Sequence, residues 1–343
     1  MARRSKYIPL DSPGLFDNIE QPTLNMPVHP DIAKYAEKIK KEANKKAETD
    51  LGPVKGIAIS GKLMFMSFGS GSSGNCAYVG DDNEGFLIDA GVEPGIVGDG
   101  LKRNGLGWEQ VKAICITHDH SDHMRFAYSI VRHHRHIKVY STPRALNGIM
   151  RRHSVSRRLK DYHINIYKEI PFTIGNFTIT AFEVMHDGMD NSGYFIEHDS
   201  RTFVIATDLG CISERADYYM RKANFLMIES NYDADMLRTG AYPEYLKARI
   251  AHDNGHLDNK VTATFLAEIY NSGLSHVFLC HLSNDNNTPE KALQESRISL
   301  EARGLKVGSG QNTLYDRECD LQLYALPRLE CSPLFIFRND GNQ

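Results

Sequence analysis

The sequence is short of reactive cysteine arrangements. Six cysteines occur in 343 residues (Cys76, Cys115, Cys211, Cys280, Cys319 and Cys331), and no two form a Cys-x-x-Cys pair. Cys115 and Cys280 fall inside apolar runs, where a thiol is a small hydrophobe. The expectation is a reduced, cytoplasmic protein without disulfides. No apolar run is long enough to span a bilayer, so no membrane association is expected. The opening "MARRSKYIPLDSPG" is basic but has no apolar h-region, which argues against a signal peptide. Internal repeats and low-complexity tracts are also missing. A net charge of −3 gives no global basic field of the kind that announces a polyanion partner. The rest is ordinary for a globular chain: 41% hydrophobic and 24% charged residues support a sizeable core in one large domain, or one domain with an appendage.

Two regions differ in pattern. Residues 1–61 form an N-terminal extension that begins loop-like and Pro-rich. Within it, "DIAKYAEKIKKEANKKAETD" (about 31–50) places Ile32, Tyr35, Ala36, Ile39 and Ala43 on one helical face. That lysine-rich helix is read as docking on the body, or alternatively as an arm for a protein partner or self-association. Residues 62–343 read as one α/β domain. "LMFMSF", "CAYVG", "GFLIDAG", "VKAICI", "FTITAFEVM", "RTFVIATDLG", "ANFLMIES" and "HVFLCHLS" are strand patterns. "IVGDGLKRNGL", "MRFAYSIVRHH" and "VTATFLAEIYNSG" are helix patterns. Strands alternate first with turns and then with helices, twice over, which predicts two packed sheets with helices outside. "LQLYALPRLECSPLFIFRND" reads as strands without a fixed place.

The chemistry concentrates in "ITHDHSDH", residues 116–123, directly after a buried strand. In His118-x-His120 two imidazoles two residues apart leave an extended segment on the same side. Asp122 and His123 come next, on the turn into a helix. Imidazole and carboxylate suit zinc, manganese or iron. Thr117 offers a hydroxyl to support the ligands. His186, Asp208 and His281 each succeed a later apolar run, so all would reach one sheet edge. Together these residues supply seven ligands, enough for two metals sharing one carboxylate.

In this order the residues resemble the metallo-β-lactamase fold superfamily. "SFGSGSSGNC", "LIDAG", "ITHDHSDH", "ATDLG", "ESNYDADML", "GAYPEYLKARI", "GHLDN" and "CHLSNDNN" resemble its YycJ/WalJ-type exonuclease branch, over roughly residues 63 to 300. The resemblance implies an αββα sandwich of two mixed β-sheets flanked by helices. It implies His118, His120 and His186 on one metal, Asp122, His123 and His281 on a second, and Asp208 between them. Asp89, ending "FLID", would orient a ligand. Glu229 would hydrogen-bond a ligand or His256. His256 in "GHLDN" would give a proton to the leaving group. Asp122, His256 and Asp208 are thus the expected catalytic residues.

Two divalent ions, Zn or Mn with Fe as a further candidate, would hold a bridging hydroxide for attack on an ester. Ligands alone do not choose the ester. The Gly/Ser loop at residues 69–75 suggests a phosphate cradle through Ser72, Ser73 and Asn75. From Arg132 to Lys160 the chain carries nine Lys/Arg, four His and no Asp or Glu. Arg132, Arg135, Arg151, Arg152, Arg157 and Arg158 are therefore expected on a nucleic-acid backbone. The favoured reading is a phosphodiesterase or nuclease acting on DNA. The alternatives are a small-molecule hydrolase (cyclic nucleotide, lactone or thioester) and a non-catalytic, metal-containing partner-binding protein.

Overall fold

The computed structural model describes residues 61–309 and 318–338. The expected extension over residues 1–61, its lysine-rich helix and its partner role lie, apart from Gly61, outside the described residues. The first sheet contains β1 (Lys62–Gly69), β2 (Cys76–Gly80), β3 (Gly85–Ile88), β4 (Val111–Cys115), β5 (Lys138–Ser141) and β6 (His163–Asn165). The second contains β7 (Phe172–Ile174), β8 (Phe177–Glu183), β9 (Ser192–His198), β10 (Arg201–Ala206), β11 (Phe225–Glu229), β12 (His276–Cys280), β13 (Val307–Gly308) and β14 (Leu321–Ala325). A last strand, β15 (Phe335–Arg338), returns to the first sheet beside β1. The orders are β15-β1-β2-β3-β4-β5-β6 and β13-β14-β12-β11-β10-β9-β8-β7. Both sheets are mixed: β3 to β6 are parallel, as are β10 to β12 with β14 and β13.

β1 shows why its sequence lacks a polar alternation. Leu63 and Phe65 point into the core between the sheets, while Met64, Met66 and Phe68 point under the helices. A strand covered on both faces must be apolar at every position. Phe65 meets Phe203 and Phe278 with ring centroids 4.8 and 4.7 Å apart, joining the two sheets at their centre. Each such buried ring contributes about 1.5–3 kcal/mol.

The described helices are α1 (Pro94–Arg103), α2 (Ser121–Met124), α3 (Ala127–His133), α4 (Pro143–Arg152), α5 (Glu214–Met220), α6 (Ala234–Thr239), α7 (Glu244–Ile250), α8 (Asn259–Ile269) and α9 (Pro289–Glu301). None is long and apolar enough to cross a membrane. The pattern "MRFAYSIVRHH" predicted one helix, but the chain breaks it at Arg125–Phe126, between α2 and α3. Phe126 N donates to Ala90 O (2.9 Å), which diverts the chain and fixes the ligand turn to the end of β3. The unplaced C-terminal pattern divides between the sheets, as β14 beside β12 and β15 beside β1.

Candidate metal centre

Strands that run the same way deliver their succeeding loops to one edge. The carboxyl ends of β3 and β4 bring Asp89 and the segment His118–His123; those of β8, β10, β11 and β12 bring His186, Asp208, Glu229 and His281. Asp89, Asp208 and His281 have positive φ (63°, 51° and 53°), three of the five described non-glycine residues that do. A left-handed backbone costs an L-residue on the order of 1 kcal/mol or more. The strain sits where each strand turns its side chain into the site.

Ligand atoms of His118, His120 and His186 lie within 4.8 Å of one another, as do those of Asp122, His123 and His281. A third group, His118, His123 and Asp208, joins the two. Asp208 Oδ2 is 3.2 Å from His123 Nε2, and its Oδ1 is 3.2 Å from His281 Nδ1 and 3.7 Å from His186 Nε2. His118 Nε2, His281 Nε2 and Asp208 Oδ2 are buried and make no well-aligned hydrogen bond, Asp208 Oδ2 having only its 3.2 Å approach to His123 Nε2. An unsatisfied buried polar atom costs about 1–3 kcal/mol. A divalent cation accepts all three, and the nitrogen and oxygen donors suit one.

The two trios differ electrostatically. Burial and then the neighbouring charged His123 push His118 well below the usual imidazole range, and burial with His186 lowers His120 to about 4. These rings are held as neutral bases. Burial also opposes charge on His123 and His281. There the carboxylates win: Asp208, Asp89 and Asp122 hold His123 well above its ordinary value, and Asp208, Asp122 and Glu229 push His281 up to about 10. Metal entering this second trio must displace protons.

The supporting contacts are specific. Asp89 Oδ2 lies 2.7 Å from His123 Nδ1, and Asp89 Oδ1 accepts Thr117 N at 2.8 Å. Thr117 Oγ1 reaches Asp89 Oδ2 (2.9 Å) and His118 Nδ1 (3.0 Å). Glu229 is fully buried; its Oε1 contacts His256 Nδ1 (2.7 Å) and His281 Nδ1 (2.9 Å). Its Oε2 accepts Leu209 N (2.8 Å) and Leu257 N (3.0 Å). The His256 ring is 5.0 Å from that of His186 and 5.2 Å from that of His281.

Some sequence-level expectations move. Ser72 and Ser73 are exposed on their loop, but Asn75 is buried. Its amide nitrogen contacts Gly71 O (3.1 Å), Asp122 Oδ2 (3.2 Å) and His123 Nε2 (2.9 Å), so its amide group is turned to two of the candidate ligands. The basic segment is also divided. Arg132 and Arg135 flank the end of α3, where His136 Nε2 meets Trp108 O (3.0 Å) and Trp108 stacks on His134. Trp108 leads into β4 from the edge opposite the ligands, so these two arginines do not border the centre. Arg151 and Arg152 end α4; Arg152 Nη1 is 3.2 Å from Asp119 Oδ2, and His153 Nε2 is 2.7 Å from Asp119 O. The ligand loop thus carries α4. Arg157 and Arg158 are exposed on the 3-10 turn Arg157–Tyr162.

Asp187 was passed over in the sequence. Its Oδ1 lies 3.2 Å from His120 Nε2 and 3.4 Å from His186 Nε2, while Arg249 Nε donates to its Oδ2 at 2.8 Å. The signal was available: it is a carboxylate directly after a candidate ligand, in "MHDG".

A family model described as Beta-lactamase superfamily domain matches residues 85–281. The chain is 32% identical over 246 residues to Exodeoxyribonuclease YycJ of Bacillus anthracis, covering 72% of this chain and 92% of that relative. It is 30% identical over 240 residues to Exodeoxyribonuclease WalJ of Streptococcus pneumoniae serotype 2, covering 70% and 88% respectively. Among solved structures, the metallo-beta-lactamase fold protein YhfI from Bacillus subtilis superposes with a TM-score of 0.57 at 14% identity, covering 80% of this chain and 99% of that one. Zn(2+)-bound PqqB from Methylobacterium extorquens gives 0.54 at 17% identity, covering 79% and 99%.

Proposed function

The chain belongs to the beta-lactamase superfamily and is a metal-dependent hydrolase, and from that premise we propose that it hydrolyses phosphodiester bonds of DNA, shortening strands from an end. One observation carries the choice of substrate: the two named relatives, matched over 92% and 88% of their own lengths, are both exodeoxyribonucleases.

In this reading His118, His120 and His186 would hold one divalent cation and Asp122, His123 and His281 a second, with Asp208 within reach of both sets. Zinc and manganese both suit such donors. Bound cations supply positive charge for the phosphoryl oxygens and make water a stronger acid. The chain's residues do the rest. Asp122, whose side chain is 22% exposed, is the acidic ligand open to the substrate side. Asn75 and His123 hold it there to orient the attacking water. Glu229 fixes Nδ1 of His256, leaving Nε2 to protonate the departing oxygen. Ser72, Ser73, Arg151, Arg152, Arg157 and Arg158 contact the phosphate backbone without reading sequence.

The test is hydrolysis of end-labelled single- and double-stranded DNA and RNA in Mn²⁺, Zn²⁺ or Mg²⁺. An Asp122→Ala control, with its metal content measured, runs beside it. Progressive, metal-dependent shortening of DNA that the control lacks supports the proposal. Intact DNA beside fully metal-loaded protein sinks it.

A further inference from the structure

Helix α7 (Glu244–Ile250) has no fully buried residue, and of its apolar side chains only Leu246 and Ile250 are half-buried, so little apolar packing holds it. Polar ties at its two flanks do. Before it, Tyr242 Oη donates to Asp285 Oδ2 (2.6 Å), four residues beyond His281. At its end, Arg249 grips Asp187 (2.7 and 2.8 Å), the residue after His186. Just beyond, Gly255 O is 2.9 Å from His186 Nδ1. The helix is therefore strapped beside the centre, tied to one segment from each half of the ligand set.

Tyr245 rides on this strap. It is 77% exposed, more than any other large apolar or aromatic side chain among the described residues. A single exposed apolar residue ordinarily needs no explanation. Tyr245, however, lies four positions before Arg249, on the same face of the helix. That face is the one whose guanidinium reaches the carboxylate touching His120 and His186. The ring is thus held out one helical turn, about 5.4 Å, from a contact at the rim of the centre.

We infer that Tyr245 is a stacking platform for a nucleobase of the substrate strand, with Arg249 and Asp187 fixing the platform's position. The inference rests on the DNA reading and deepens it. An aromatic ring stacks on any base, because every base has a π-face. It would hold a strand near the centre without a sequence preference, whereas phosphate contacts alone leave the bases loose. The hydroxyl of Tyr245 takes no part in stacking, so phenylalanine should serve as well.

The test compares wild type, Tyr245→Ala and Tyr245→Phe in steady-state shortening of single-stranded DNA, using the full chain loaded with metal. An exposed side chain on an unburied helix can be truncated without unfolding, which a melting curve checks. Tyr245→Ala should raise KM roughly tenfold with kcat little changed, and Tyr245→Phe should restore it to within about twofold. A second arm steps one abasic residue along the strand. At one position wild type should fall to the level of Tyr245→Ala, and Tyr245→Ala should not fall further. Equal KM for all three proteins overturns the inference and leaves the nuclease reading intact. So does a defect in Tyr245→Ala that adds to every abasic substitution, since the ring would then act on something other than a base. If wild type shortens no nucleic acid, the nuclease reading fails and this inference falls with it.

Discussion

Glu229 holds His256 by its Nδ1 at 2.7 Å, and it does so from a fully buried position at the end of β11. Burial alone would raise a carboxyl's pKa. Here the charge and hydrogen bond of His256, with help from His281, hold Glu229 below its ordinary range. In the proposed mechanism this anchored pair, beside both halves of the centre, is the proton donor. His256→Ala should lower kcat by roughly 10²–10⁴-fold with metal content unchanged. Glu229→Gln should lower kcat and also the melting temperature, because it weakens a contact that reaches Leu209 and Leu257 as well. A His256→Ala protein with full turnover would remove the donor role.

Asp89 acts on the centre through His123, 2.7 Å away. Asp89→Asn should keep the fold and weaken metal binding roughly 10–100-fold, the usual cost of losing a carboxylate behind a ligating histidine. Competition with a chromophoric chelator reads this directly. Unchanged affinity would show that His123 needs no such partner.

The division of the basic segment predicts an asymmetry. Arg151→Ala and Arg158→Ala should each weaken DNA binding and reduce the slope of log K against log salt by about 0.7–0.9, as expected for one lost phosphate contact. Arg132→Ala and Arg135→Ala, at the opposite edge, should leave both quantities unchanged. Equal effects from all four would place the strand elsewhere.

Gly91 allows the Asp122–His123 turn to press on the segment that follows β3. A Cβ built there would lie 1.5 Å from Asp122 O and 2.8 Å from Asn75 N, both backbone atoms. Gly91→Ala must therefore push the Asp122–His123 turn away. The expected outcome is loss of metal from that half, seen as a lowered metal-to-protein ratio, with melting lowered as well. A variant with wild-type metal content would mean that the turn has slack.

Asp81 gives a pH dependence remote from the centre. It is buried and accepts from Asn83 N (2.8 Å), Glu84 N (2.9 Å) and Asn176 Nδ2 (2.9 Å), with His198 Nε2 at 3.4 Å. Burial would raise its pKa, but these bonds from His198, Asn176 and the backbone together hold it well below the ordinary carboxylate range. A group depressed in the folded state stabilises above its unfolded pKa, near 3.9, and that stability is lost as pH falls. Asp81→Asn should therefore cost about 1–3 kcal/mol in urea unfolding at pH 7. The gap from wild type should narrow below about pH 4.

By itself the sequence determined the layers and pointed to most of the residues that the structure gathers at the candidate centre. Apolar runs such as "LMFMSF" and "VKAICI" can only be buried strands, and a dense run of imidazoles and carboxylates after one of them has few uses besides metal. His186, Asp208 and His281 were legible for the same reason: each is a polar residue where an apolar run ends. Tertiary structure decided the features that depend on proximity across the chain. Asn75 looked like a phosphate contact until its amide was found against Asp122 and His123, 47 and 48 residues away. Asp187 and Arg249, 62 residues apart, had no shared signal. The nine basic residues from Arg132 to Lys160 looked like one surface because sequence shows charge density and not direction. The chain reverses between β4 and β5, and α3 carries Arg132 away from the edge to which α4 keeps Arg152 tied. Composition and period record the surface a segment must bury; only the paired strands fix which segments end side by side.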